Sequence, residues 1–137
     1  MEKIKVKVDW SDKNFAAVTD DARLCGMVLV TASTYEKLMS DLRDAIVEHV
    51  EGVVADGDDL PEWLKCGVYE FEVDLGAAAL LRCCLQYTTF AAVAHATGIN
   101  QALLTHYVTG LKAPRDKQRA RIVEGLHRIG EALLSLK

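Results

Sequence analysis

The sequence predicts an α+β chain of two domains, a β-β-β-α-β domain over residues 1–75 followed by an all-α domain over residues 76–137. Three observations carry this reading. Apolar residues alternate with polar ones in the first and last strands of the first domain, and recur at helical spacing through the second. Charge divides at the same place, with 8 Lys or Arg against 17 Asp or Glu before residue 76 and 8 against 3 after it. The formal net charge of −4 therefore conceals one half of −9 and another of +5. Finally, 137 residues suit two small domains, each near the lower limit for an independent core.

The first domain opens with Ile4, Val6, Val8 and Trp10 alternating against Lys3, Lys5, Lys7 and Asp9, the period of a strand with one wet face. Ser11 to Asn14 read as a hairpin turn. Phe15–Thr19 and Cys25–Thr31 are the next two strands, joined through Asp20 and Asp21, so the three make a meander. Ser33 and Glu36 have the spacing of a capping box, which starts a helix. Its apolar stripe is Tyr35, Leu38, Met39, Leu42, Ile46, His49, Val50 and Val53. His49 is the one polar group on that stripe, expected to be satisfied near the helix end and to have no functional role. An acidic loop from Ala55 to Glu62 then leads to a fourth strand, Val68–Asp74.

In the second domain a leading helix from Leu75 to about Tyr87 supplies Leu80, Leu81, Cys84 and Leu85 to a core. From Thr89 to Pro114 the small, apolar and turn residues have the spacing of a helix-turn-helix. Thr88 or Thr89 caps a short helix carrying Ala91, Val93 and Ala94, and Gly98 supplies the left-handed conformation that a tight turn needs. Asn100 caps a second helix from Gln101 to about Thr109, which closes on Gly110. Ile99, Leu104 and Tyr107 pin that helix to the core, leaving Gln101, Ala102, Thr105 and His106 free to meet base edges and a thymine methyl. Thr89, Asn100, Lys112, Arg115, Lys117 and Arg119 are the expected contacts to the phosphate backbone, and Arg121 stands in the same basic cluster. A plain helical hairpin has no reason to place Gly98, Asn100, Gly110 and Pro114 in register.

The chain ends in a helix whose apolar stripe is longer than a small domain can cover. Ile122, Leu126, Ile129, Leu133 and Leu134 are therefore expected to meet a second copy, in a dimer or a higher even state. The four cysteines, Cys25, Cys66, Cys83 and Cys84, form no C-x-x-C pair, so neither zinc nor a disulfide framework is expected. No signal peptide or membrane-spanning run is visible, which predicts a cytoplasmic chain without a membrane partner, and no cofactor is implied.

Ala94-x-x-x-Gly98, Gly98-Ile99-Asn100-Gln101 and Gly110-x-x-x-Pro114 resemble the Cro and lambda-repressor (XRE) class of helix-turn-helix. Leu103 stands where that class usually has a polar residue, and Val108 where it usually has Glu. The β-β-β-α-β order with this motif appended resembles the HicB antitoxin family over nearly the whole chain, with looser counterparts in Ser11–Asn14, Cys25-Gly26 and Ser33–Glu36. That resemblance implies a reduced ribonuclease-H-like first domain that binds a small basic, RNA-cleaving HicA-like toxin. It also implies a non-enzymatic antitoxin of a type II toxin-antitoxin pair that represses its own operon by binding operator DNA.

Two other functions compete with it. One is a stand-alone repressor whose acidic domain senses a ligand. The other is a metal-dependent nuclease recruiting Asp9 with Glu48 or Asp74, as ribonuclease-H-like enzymes recruit carboxylates at strand ends and on a helix. Asp9 alternates with the apolar face and Glu48 lies off the helix stripe, so nothing in the sequence makes them converge. A solvated acidic surface accounts for them, and no catalytic or metal-ligating residue is assigned.

Overall fold

The computed structural model describes residues 1–137, and they divide into two compact units, Met1–Gly76 and Ala77–Lys137. The boundary lies one residue beyond the expected one because Leu75 still pairs with Val8, and the Gly76 N–H donates to the Val8 carbonyl at 2.8 Å.

The first unit is a four-stranded mixed sheet with helices, an α+β arrangement. Strands β1 (Glu2–Ser11), β2 (Asn14–Thr19), β3 (Val28–Ala32) and β4 (Tyr69–Leu75) lie in the order β3-β2-β1-β4. β1 and β2 form an antiparallel hairpin in which Ser11 faces Asn14 and Asp12 takes a positive φ of 60°, a conformation that a short polar side chain tolerates. β2 pairs antiparallel with β3, and β4 returns parallel to β1. A parallel return needs a crossover, which helix α1 (Tyr35–Ala55) supplies.

One sheet face is dry. Ile4, Val6 and Val8 of β1, with Phe15 and Ala17 of β2, are buried together with Leu38, Leu42, Ile46 and Val50 of α1. Those four helix residues recur every fourth position, and each such side chain contributes about 1.5–3 kcal/mol on burial. The other face follows from the period of two: β1 presents Lys3, Lys5 and Lys7 in register with Glu70, Glu72 and Asp74 of β4, all six exposed.

Several expected boundaries move. Thr34, not Ser33, caps α1, its hydroxyl oxygen accepting from the Lys37 N–H at 3.2 Å. Strand β3 starts at Val28 because Ala22–Leu24 form a 3-10 turn that closes on Cys25 in a left-handed conformation. A short helix, α2 (Glu62–Lys65), occupies the end of the acidic loop and buries Leu64. His49 is held by that 3-10 turn instead of the helix end: its Nε2 lies 2.7 Å from the Leu24 carbonyl, so that nitrogen carries the proton and donates it.

The second unit is all helical: α3 (Ala77–Cys84), α4 (Phe90–Thr97), α5 (Gln101–Thr109) and α6 (Asp116–Leu134). Leu81, Val93, Ile99, Leu104, Tyr107, Val108 and Ile122 form its core, with one or more residues drawn from every helix. Helix α3 is shorter than the expected Leu75–Tyr87, and Tyr87 lies outside it, 80% exposed.

Candidate nucleic-acid interface

The site is built by two short helices and the turn between them. Thr89 caps α4 by accepting from the Ala92 N–H at 3.1 Å, and Gly98 ends that helix with φ 73°. The Gly98 N–H donates back to the Ala94 carbonyl at 2.8 Å. Ile99 then enters the core at 4% exposure, and Asn100 caps α5 through the Ala102 N–H at 2.8 Å. Gly110 closes α5 with φ 80°. At both glycines a side chain would be strained, so the same left-handed close ends α4 and α5.

On α5, Leu104, Tyr107 and Val108 face inward and Gln101, Ala102 and Thr105 are exposed. Gln101 keeps its amide available, Ala102 offers a methyl, and the Thr105 hydroxyl donates to the Gln101 carbonyl at 3.2 Å while retaining lone pairs to accept. His106 differs from the other three. It is half-buried, and its Nδ1 is shut away from solvent without a hydrogen-bond partner, so it offers less of its ring to an incoming edge.

The two departures from the XRE pattern have a packing cause. Val108 is 4% exposed within the core, and Leu103 leans against the same core. Polar residues at those positions would leave the core short of apolar contact.

Beyond α5 the chain turns through Leu111–Arg115, and Lys112, Arg115 and Lys117 are exposed. They line one groove with Leu103, Tyr107, Gln118 and Arg121. Arg119 is half-buried and makes an interaction of its own within the protein. Thr89 and Asn100 are occupied as helix caps through one lone pair each, and both remain exposed. Arg121 belongs by spacing to the same basic cluster expected at the phosphate backbone, yet it reaches across to the α4–α5 turn, donating to the Thr97 carbonyl at 2.9 Å. Its position among other basic residues disguises that contact in the sequence.

The expected self-association stripe needs correction. Ile122 is fully buried in the core of its own unit and is unable to meet a second copy. Leu126 and Ile129 are half-buried against that core. Leu133 and Leu134 are 58% and 87% exposed, and Leu136 beyond the helix is exposed as well.

In the first unit the wet sheet face carries a depression lined by Lys3, Lys5, Lys7, Arg23, Asp20 and Asp74, among others. Arg23 organises its rim. It forks onto Asp21 at 2.7 and 3.0 Å, reaches Glu2 at 2.8 Å and the Lys3 carbonyl at 2.7 Å, and lies over the Trp63 ring. The Arg23 side chain holds the Asp21 carboxyl below its ordinary pKa by hydrogen bonding. No group of three or more His, Cys, Asp or Glu side chains is placed to hold a metal ion. All four cysteines are free, and burial pushes the Cys84 thiol up to about 11, away from a reactive thiolate. No helix is long and apolar enough to cross a membrane. Neither a protein-family model, nor a curated protein, nor a solved structure matches the chain.

Proposed function

We propose that this chain is a DNA-binding repressor acting as the antitoxin of a type II toxin-antitoxin pair, in the manner of the HicB family. The observation that supports DNA binding best is the exposed Gln101, Ala102 and Thr105 on a helix flanked by left-handed glycines, beside exposed Lys112, Arg115 and Lys117. A helix of this kind lies in the major groove with its first residues against base edges, while the cations that follow meet phosphate. Binding would be steered by the +5 half and opposed by the −9 half.

The acidic first unit, read as a reduced ribonuclease-H-like domain, would cover the RNA-binding surface of a small basic toxin, its carboxylates standing in for RNA phosphates. A stand-alone repressor sensing a ligand through the depression on the wet sheet face is the second reading, because that depression joins cations, acids and the exposed Met27.

The experiment is selection of duplexes from a randomised library by the full chain. One enriched, palindromic sequence is the expected result. Recovery of unselected sequence, with binding that tracks salt alone, would refute operator recognition.

A further inference from the structure

We infer that Arg121 is a positioning residue for the recognition helix, gripping the α4–α5 turn from α6, and that it is not one of the phosphate contacts. This inference rests on the DNA-binding reading given above.

Arg121 is exposed as a residue, yet both ends of its guanidinium are tied into the protein. The Arg121 Nη2 donates to the Thr97 carbonyl at 2.9 Å, and Nη1 donates to the Gln118 side-chain oxygen at 3.0 Å. Gln118 stands one turn earlier on α6, so it fixes the guanidinium plane while the other edge reaches the turn. The same Nη2 lies 3.4 Å from where a Cβ of Gly98 would stand, which puts the guanidinium directly over the left-handed residue. Thr97 carries one of the last carbonyls of α4, and a cation there completes an acceptor that the helix itself leaves open.

Thr97 is itself the pivot of the turn. It is 7% exposed; its hydroxyl donates to the Val93 carbonyl at 2.7 Å and accepts from the Ile99 N–H at 3.1 Å. One side chain thus joins the end of α4 to the residue that enters α5. Four residues beyond Arg121, Gly125 lets α6 approach so closely that a Cβ there would collide with the Thr97 methyl. Arg121 and Gly125 therefore hold Thr97 from one face of α6, by a hydrogen bond and by close contact.

The consequence for recognition is geometric. Gln101 follows Thr97 by only four residues, through Gly98, Ile99 and Asn100, so the angle at which α5 presents its exposed face depends on the turn that Arg121 holds. Discrimination between base edges needs that angle; attraction to phosphate does not.

The test uses the full chain, the duplex enriched from the randomised library and a shuffled duplex of the same composition, across a salt series. With R121Q, affinity for the enriched duplex should fall roughly 2- to 30-fold, the range typical of residues that act through a coupled element. Affinity for the shuffled duplex and the salt slope should stay as in the wild type. R121K, which keeps a donor for Thr97 but loses the fork, should recover part of the loss.

Joint weakening of both duplexes, with a slope shallower by roughly one counterion, would make Arg121 a phosphate contact and overturn the inference. So would an enriched duplex whose binding is indifferent to R121Q. If the library yields no enriched duplex, the DNA-binding reading fails and this inference with it. Should R121Q fail to fold, Q118A leaves the arginine in place and removes only its anchor. It should then show the same selective loss to a smaller degree, and no change in Q118A discrimination would overturn the inference.

Discussion

Arg23 shows how a single side chain organises a surface. It joins Asp21, Glu2, the Lys3 carbonyl and Trp63, tying the turn after β2 to β1 and to α2. Because the Asp21 pKa is lowered in the folded state, its ionised form is favoured there, and the stability it supplies is present above the unfolded value near 3.8. That stability is lost as pH falls through the lower, folded pKa. Asp21→Asn should therefore cost about 0.5–1 kcal/mol at neutral pH, a figure kept small by solvent screening, and the gap to wild type should close in acid. Chemical denaturation at neutral and acid pH checks this, and a gap that widens in acid would contradict it. Other residue details were legible only in part. Gln101, Ala102 and Thr105 follow from helical period alone, whereas the half-burial of His106 depends on the neighbouring helices and leaves no trace in spacing.

At the scale of elements, caps decided what the sequence revealed. Asn100, Gly98 and Gly110 are strong local signals and fix both ends of α5. At α1 the adjacent Ser33 and Thr34 are both able caps, and the choice falls to Thr34 because Tyr35 is the first helical residue. Thr34→Ala should cost about 1 kcal/mol in thermal or chemical unfolding, and Ser33→Ala close to nothing. Equal effects would mean that the cap is shared. Helix α2 spans only four residues, too short for a period to register, and the left-handed bend that delays β3 falls on Cys25, one residue before Gly26. In the turn after α5, Lys112→Ala and Arg115→Ala should each weaken enriched and shuffled duplexes alike and flatten the salt slope by roughly one counterion. An unchanged slope would remove them from the phosphate contacts.

At the scale of the whole molecule, the division of charge between residues 1–75 and 76–137 was visible from composition, and the two compact units part within one residue of it. The apolar end of α6 was legible as a stripe but not in its extent. Which leucines are left over depends on how much the core takes, and it takes Ile122 entirely and part of Leu126 and Ile129. Self-association through this element falls to Leu133, Leu134 and Leu136, which stay exposed. Leu133→Asp with Leu134→Asp should lower the mass seen by light scattering and weaken duplex binding, since one recognition helix contacts few base pairs. An unaffected mass would place the interface elsewhere.

The central claim is that α5 reads base edges through its first exposed residues, and Gln101→Ala tests it most directly. The measurement is the ratio of affinities for the enriched and the shuffled duplex, at one salt concentration, for wild type and variant. Loss of one side-chain amide from a base edge should reduce that ratio by about 1–3 kcal/mol, or roughly 5- to 150-fold, and leave the shuffled duplex bound as before. An unchanged ratio, with both duplexes weakened equally or not at all, would contradict direct readout by this helix.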